Sequence, residues 1–266
     1  MTDKFSGNVI WVTGASSGIG EALVRSFMER GATVIVSSNE PDELIRVKSD
    51  CNGLPGKMIC VPFDLAETSG ISDLVDSTLR STGRIDYLVN LGGISQRALV
   101  VDTPMWIDRK IMEINYFGTV ALTKAVLPWM ILQGSGHILA TSSIAGRFGF
   151  PLRSAYSASK QALHGFIETL YLENKKSGIR ASVIIPGRVK TKISFRALDS
   201  SGKEHGRMDQ GQSGGISPQK AARQIIRGIK RNRREILVGS SELVMLFIRR
   251  YFPSLFFRIA GKIKSE

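Results

Sequence analysis

The feature that most constrains this chain lies near its start. An apolar run, Val9–Thr13, passes directly into Thr13-Gly14-Ala15-Ser16-Ser17-Gly18-Ile19-Gly20 and then into a segment with Ala22, Leu23, Phe27 and Met28 on one helical face. A strand that leads through a glycine loop into a helix N-terminus is built to cradle a phosphate. Its backbone can turn tightly and approach the anion, while unpaired amides and the helix dipole point at the negative charge. Gly14, Ser16, Ser17, Gly18, Ile19 and Gly20 are the residues placed to form that cradle.

The rest of the chain repeats the alternation. Short, nearly continuous runs rich in Val and Ile predict strands at Val9–Thr13, Thr33–Ser37, Met58–Phe63, Tyr87–Asn90, His137–Ser142, Ala181–Ile185 and Ile236–Val238. Helical periodicity fills the intervals at Ile19–Arg30, Pro41–Asp50, Ser69–Thr82, Pro104–Met130, Tyr156–Lys176 and Pro218–Lys230. Strands without an exposed face, separated by helices, predict a single doubly wound α/β domain with a parallel seven-stranded sheet and helices on both faces, a Rossmann-type domain over residues 1–240. Residues 190–216 are polar, Gly-rich and aperiodic, which predicts a lid beside the site.

Several residues downstream of the loop carry a resemblance. The loop spacing is Gly-x3-Gly-x-Gly. Asp64 and Leu65 follow the third strand, Asn90-Leu91-Gly92-Gly93 follows the fourth, and Asn115 lies in Ile114-Asn115-Tyr116-Phe117-Gly118. Ser143 precedes Tyr156-x3-Lys160 by thirteen residues, and Pro186-Gly187-Arg188-Val189-Lys190-Thr191 follows the sixth strand. This set resembles the short-chain dehydrogenase/reductase family over nearly the whole chain. The resemblance implies Asn115, Ser143, Tyr156 and Lys160 as the catalytic group. It also implies Asp64 at the adenine, and Leu65, Asn90, Gly92, Pro186, Gly187, Val189 and Thr191 along the remainder of a nicotinamide dinucleotide. Leu91 and Gly92 depart from the family's usual Asn-Asn-Ala-Gly, which removes a backbone brace.

The residues themselves suit that chemistry. Tyr156 and Lys160 are one helical turn apart and share a face, so an ammonium there would favour the phenolate. A phenol so tuned can give a proton to a developing alkoxide or take one from an alcohol. Ser143 would hydrogen-bond the substrate oxygen. By resemblance, Lys160 also holds the nicotinamide ribose and the Asn115 carbonyl orders a water. Chain position adds Ile144, Phe148 and Arg188 to Ser143 and Tyr156 as substrate contacts, with Ser95, Gln96, Arg97, Phe150 and Phe195 as further candidates. The activity expected is hydride transfer between a dinucleotide and a carbonyl or secondary alcohol. Segment 142–166 looks most like membrane-associated, hydroxysteroid-type members of the family, which implies a lipophilic substrate. A 3-oxoacyl thioester reductase and a dinucleotide-sensing module without turnover are the alternatives.

At the end of the second strand, Val36-Ser37-Ser38-Asn39-Glu40 has no acid at Ser38 and no arginine at Asn39. Small hydroxyls leave room for a 2′-phosphate that Arg46 or Lys48 could reach, which favours NADP(H) over NAD(H).

The net charge of +13 does not indicate a nucleic-acid binder. Residues 217–266 carry +9 of it, without a Cys/His finger or an aromatic-basic repeat. Two cysteines, Cys51 and Cys60, are too few for a disulfide framework, and His137, His164 and His205 lack a neighbour spaced for a metal or a triad. The start, Met1–Asn8, lacks the pattern of a secretory or transit peptide, so a cytoplasmic location is expected. The stripe Ala162, Leu163, Phe166, Ile167, Leu170 and Tyr171 is expected in the core, and the resemblance implies a homodimer or homotetramer through that helix. Residues 241–266 read as a helical extension. Leu255, Phe256, Ile259 and Ile263 fall on one side of it and Arg258 and Lys262 on another, which suits packing on the domain, on a second subunit or on an anionic membrane surface.

Overall fold

The computed structural model describes residues 3–260. Seven strands form one parallel sheet in the order β3-β2-β1-β4-β5-β6-β7: β1 Val9–Thr13, β2 Thr33–Ser37, β3 Lys57–Cys60, β4 Tyr87–Asn90, β5 Gly136–Thr141, β6 Ile179–Pro186 and β7 Glu235–Val238. Alternate residues of the inner strands enter opposite cores. Ile10 and Val12 of β1 join Leu23 and Phe27 of α1 (Gly18–Met28) and Ile225 and Ile229 of a late helix, Pro218–Lys230. Val9 and Trp11 join the other face, with Val75, Val126, Leu163 and Ile167 from the helices Ile71–Thr82 (α3), Gly118–Gln133 and Ser154–Asn174. That double burial is why the strands read as unbroken apolar runs. The strand order reverses between β1 and β4, and at such a switch point the carboxyl ends of the strands splay into a crevice.

Where the elements differ from expectation, local chemistry explains it. β3 is regular only as far as Cys60, although Val61 and Phe63 go on donating to the Val36 and Ser38 carbonyls (2.9 and 3.2 Å), and Pro62 between them is tolerated because its nitrogen lies on the outer side of this edge strand. The long helix expected over Pro104–Met130 is three pieces: α4 (Met105–Met112), a π turn (Glu113–Phe117) and α5 (Gly118–Gln133). A π turn carries one extra residue per turn and so changes which side chains face the sheet. The helix that carries Tyr156 and Lys160, α6, begins at Ser154 and runs to Asn174.

Segment 190–216 is stitched to the body. Leu198 pairs with Gln96, and Leu198 N–H donates to the Ser95 carbonyl at 2.9 Å while Arg97 N–H donates to the Leu198 carbonyl at 2.8 Å. It ends in a short helix, α7 (Gln210–Ser213), before α8 (Pro218–Lys230). The C-terminal extension forms α9 (Val244–Tyr251) and α10 (Pro253–Ala260). Phe256 and Ala260 are buried on the core while Leu255 is exposed and Ile259 half-buried, so the expected apolar side is divided between core and solvent. Ile263 and Lys262 lie outside the described residues. Among the described residues, no helix is long and apolar enough to cross a membrane.

Candidate functional site

A cleft of about 960 Å³ opens at the carboxyl ends of the strands, a size that admits a dinucleotide with a small substrate. One end is walled by Thr13, Gly14, Ser16, Ser17, Gly18, Ile19 and Gly20. Gly14 has φ +62°, and a Cβ there would come within 2.8 Å of the Gly92 backbone; one on Gly20 would meet the Gly14 carbonyl oxygen. The two loops therefore touch backbone to backbone, leaving space only for a ligand. The Ser17 hydroxyl does not cap α1, so the first-turn amides of that helix remain for an anion. Across the cleft, Thr191 approaches Gly18: a Cβ at Gly18 would lie 3.0 Å from Thr191 Cγ2. A phosphate-bearing dinucleotide fits this cradle.

The expected cofactor residues Ser38, Asn39, Asp64, Leu65, Gly92, Pro186, Gly187, Val189 and Thr191 all line the cleft, as do Tyr156 and Lys160. Asn90 does not. It is buried behind the lining and donates to the Leu139 carbonyl (3.2 Å) and to Thr123 Oγ1 (3.4 Å), so its place is structural. The brace missing from Asn90-Leu91-Gly92-Gly93 is supplied elsewhere. Thr13 Oγ1 accepts the amides of both Leu91 (3.1 Å) and Gly92 (3.2 Å). Asn115, fully buried on the π turn, accepts Ile94 N–H (2.8 Å) and donates to the Ile94 carbonyl and to Ser159 Oγ (both 3.0 Å). Its side chain is a strut between the β4 loop and α6, and it does not line the cleft. The sequence offered no signal for Thr13 in this role, because a strand-end threonine is ordinary.

At the floor, Ser143 follows β5, Tyr156 lies in the first turn of α6 and Lys160 one turn on. Ser143 Oγ accepts the Ala145 amide at 3.1 Å, which fixes the hydroxyl, and it hydrogen-bonds the Tyr156 phenol. Lys160 Nζ donates to the Thr141 carbonyl at 2.8 Å and lies 5.9 Å from the centre of the Tyr156 ring. Burial lowers the Lys160 ammonium from its usual range to about 8. Burial also pushes the Tyr156 phenol up, against the Ser143 hydrogen bond and the positive charges of Arg153 and Arg97. The expectation of a phenol held low by Lys160 is thus reversed, since desolvation outweighs every favourable charge and the lysine's hydrogen bond goes to a carbonyl.

The substrate contacts expected from chain position fare unevenly. Ser143, Tyr156 and Phe195 line the cleft, with Ile94, Ile114, Ile193, Leu198 and Met208 adding apolar surface. Ile144 and Phe148 are buried in the core, where Phe148 stacks on Phe256 at 4.7 Å and on Phe150 at 5.2 Å. The turn after Ser143 points them into the sheet face. Arg188 is exposed, with its amide donating to Glu242 Oε1 at 2.9 Å, and it lies outside the lining. Ser95, Gln96 and Arg97 are buried beneath the lid.

At the second-strand end, the Glu40 carboxylate accepts from Ser16 Oγ (2.8 Å) and pairs with Arg196 of the lid (2.8 Å), and Ser38 Oγ donates to Ser16 Oγ (3.0 Å). Glu40 and Arg196 both line the cleft. Arg46 donates to the Ser16 carbonyl and is held by Glu21, Glu43 and Asp50. Of the histidines, His164 does acquire acidic neighbours in space: it, Glu168 and Glu235 bring potential ligand atoms within 4.8 Å of one another. Glu235 is paired there with Arg147.

The family model described as short chain dehydrogenase matches residues 8–200. A Drosophila melanogaster protein named dehydrogenase/reductase SDR family protein 7-like is 40% identical over 267 residues, covering 98% of this chain and 81% of the relative. Dehydrogenase/reductase SDR family member 7B is 39% identical in Rattus norvegicus (97% of this chain, 82% of the relative) and 35% identical in Danio rerio (94% and 84%). In three dimensions, the crystal structure of a Burkholderia phymatum short chain dehydrogenase/reductase in complex with NAD superposes with a TM-score of 0.84 at 22% identity. It covers 95% of this chain and 96% of that one, a likeness of fold.

Proposed function

The chain belongs to the short-chain dehydrogenase/reductase family, and from that premise we propose that it catalyses NADP(H)-dependent interconversion of a lipophilic carbonyl compound and its secondary alcohol. The observation that carries this reading is the convergence of Ser143, Tyr156 and Lys160 on the floor of a cleft whose far end is a phosphate cradle. When bound, the dinucleotide supplies or accepts the hydride. The protein's part is to place and protonate. Ser143 Oγ, already fixed by the Ala145 amide, orients the substrate oxygen beside the Tyr156 hydroxyl. In reduction Tyr156 gives its proton to that oxygen as negative charge develops, and in oxidation it removes the alcohol proton. Lys160, buried and only weakly basic for a lysine, gives a hydrogen bond to the Thr141 carbonyl and would hold the nicotinamide ribose.

Two features support the finer points. An anion, the Glu40 carboxylate, already rests on the Ser16 hydroxyl and the Arg196 guanidinium, and a 2′-phosphate could use the same donors. The apolar lining at Ile94, Ile114, Phe195, Leu198 and Met208 suits a lipophilic substrate. Peripheral contact with anionic membrane would bring such a substrate near. The exposed side chains Phe247, Tyr251, Phe252, Leu255 and Phe257, alternating with Arg249, Arg250 and Arg258, have the composition for it.

The experiment is a turnover screen of steroid, retinoid and simple aldehydes and ketones and of 3-oxoacyl thioesters, with NADPH and NADH. Turnover of a lipophilic carbonyl with NADPH bears the reading out. Preference for thioesters would move it to acyl-chain reduction, and tight dinucleotide binding without turnover of any class would replace it with a sensing role.

A further inference from the structure

Beneath the lid, beside the phenol, lies a buried group of three charges that the reading above leaves unused. Arg97, in the loop after β4, donates through Nε and Nη2 to both carboxylate oxygens of Asp209 (3.1 and 2.6 Å). Arg153, the residue before the first turn of α6, donates through Nη2 to the same Asp209 oxygen (2.6 Å). Arg97 and Asp209 are almost wholly buried and Arg153 is largely so, with side-chain exposures of 3%, 6% and 18%. Asp209 comes from the lid, where its amide is held by Ser194 Oγ.

Two guanidinium groups share one carboxylate, which leaves a surplus of one positive charge in a dry place. A surplus buried charge is costly, so its persistence calls for a use. The two arginines are not equivalent. Arg97 is satisfied, since its Nη1 donates to Ser95 Oγ and to the Gln96 carbonyl. Arg153 keeps a buried Nε without a hydrogen-bond partner. Arg153 is thus the less satisfied of the two, and it stands at the N-cap of α6, three residues ahead of Tyr156, where the helix dipole is also positive.

We infer that Arg153, anchored with Arg97 on the lid carboxylate Asp209, is a positioning residue whose surplus charge stabilises the Tyr156 phenolate and ties proton transfer to a docked lid. This rests on Tyr156 being the proton-transferring group. The groups that face the phenol come from three elements: Ser143 after β5, Lys160 farther along α6, Arg153 at its head and Arg97 from the β4 loop. Only the last two are charges that lower its pKa in the structure, and burial opposes them. Burial and the Arg97 charge lower the Arg153 guanidinium, while Asp209 and the phenol favour its charged form.

The arrangement makes a clean test available. Arg153→Met leaves Arg97 and Asp209 as a neutral, fully hydrogen-bonded pair, so the fold survives the change. Tyrosine Cζ NMR titration, with Tyr156→Phe to assign the resonance, reads the phenol directly and needs no substrate. The limb of the kcat/KM pH profile for alcohol oxidation reads it during turnover. Arg153→Met should raise both by about one pH unit or somewhat less, and Arg153→Lys should restore most of the shift. Arg97→Met serves as the second variant and should shift both in the same direction. A lower rate with both titrations unmoved would overturn the inference and leave the cluster a lid anchor. A shifted resonance in a protein that turns over no substrate would uphold the electrostatics while removing the enzymatic reading.

Discussion

The Lys160 ammonium lies 5.9 Å from the centre of the Tyr156 ring and gives its hydrogen bond to the Thr141 carbonyl. The lysine's hydrogen bond thus goes to the backbone and not to the phenol. Replacing the phenol should separate chemistry from binding. Tyr156→Phe should lower kcat by at least a factor of about 10² to 10⁴, the usual contribution of a positioned acid or base, while the dinucleotide dissociation constant changes little. Stopped-flow turnover beside fluorescence titration reads both, and a variant that keeps most of the wild-type rate would exclude Tyr156 as the proton donor.

Lys160 carries a stability cost with a definite pH dependence. Its folded pKa of about 8 lies below the unfolded value near 10.5, so the fold disfavours the ammonium. The penalty is complete below pH 8, shrinks as pH rises from 8 to 10.5 because the unfolded chain binds the extra proton there, and is gone above. Lys160→Met should therefore unfold at a higher temperature than wild type at pH 7, by up to about 3 kcal/mol, and lose that advantage towards pH 10. Activity should fall sharply. Chemical denaturation at the two pH values checks the sign; equal destabilisation at both would contradict it.

Glu40 stands at the point that distinguishes the two dinucleotides. NADPH should bind more tightly than NADH at matched ionic strength. Glu40→Gln should widen the gap by roughly tenfold, by removing a negative charge that competes for Ser16 and Arg196. Titration of intrinsic fluorescence gives both constants. Tighter NADH binding that weakens in Glu40→Gln would assign the carboxylate to a ribose hydroxyl and the protein to NAD(H).

The C-terminal aromatics divide into two sets by burial, and so can be tested apart. Phe256 fills the core against Phe148, and Glu242 accepts the Arg188 amide, so removing 242–266 as a block would disturb the loop at Gly187 as well as the tail. Paired substitution of the exposed Phe247 and Phe252 by Ser avoids this. It should leave turnover of a soluble substrate unchanged and abolish salt-sensitive co-sedimentation with anionic vesicles. Wild-type protein that fails to sediment at low salt would confine the segment to packing.

The reach of the sequence ended at predictable places. Strand positions were legible because both sheet faces are buried and the runs are therefore apolar throughout. The phosphate cradle was legible because strand, loop and helix follow in order. Contacts made across the fold were not. Thr13 bracing Leu91 and Gly92, Asp209 reaching Arg97 and Arg153, and Glu40 meeting Arg196 join residues 56 to 156 positions apart, and nothing local marks them. Chain position places Phe148 and Arg188 at the substrate, but the structure buries Phe148 in the core after the 3₁₀ turn Ile144–Gly146 and leaves Arg188 exposed outside the lining.

The π turn at Glu113–Phe117 has an evolutionary reading. Its extra residue is the difference between a long regular helix and one that presents Asn115 to both Ile94 and Ser159. Loss of one codon in this window would remove the residue that the wide turn accommodates, and with it the geometry that holds Asn115 between the β4 loop and α6. Substitution at an exposed position such as Phe117 should therefore be tolerated here, and a change of length should not.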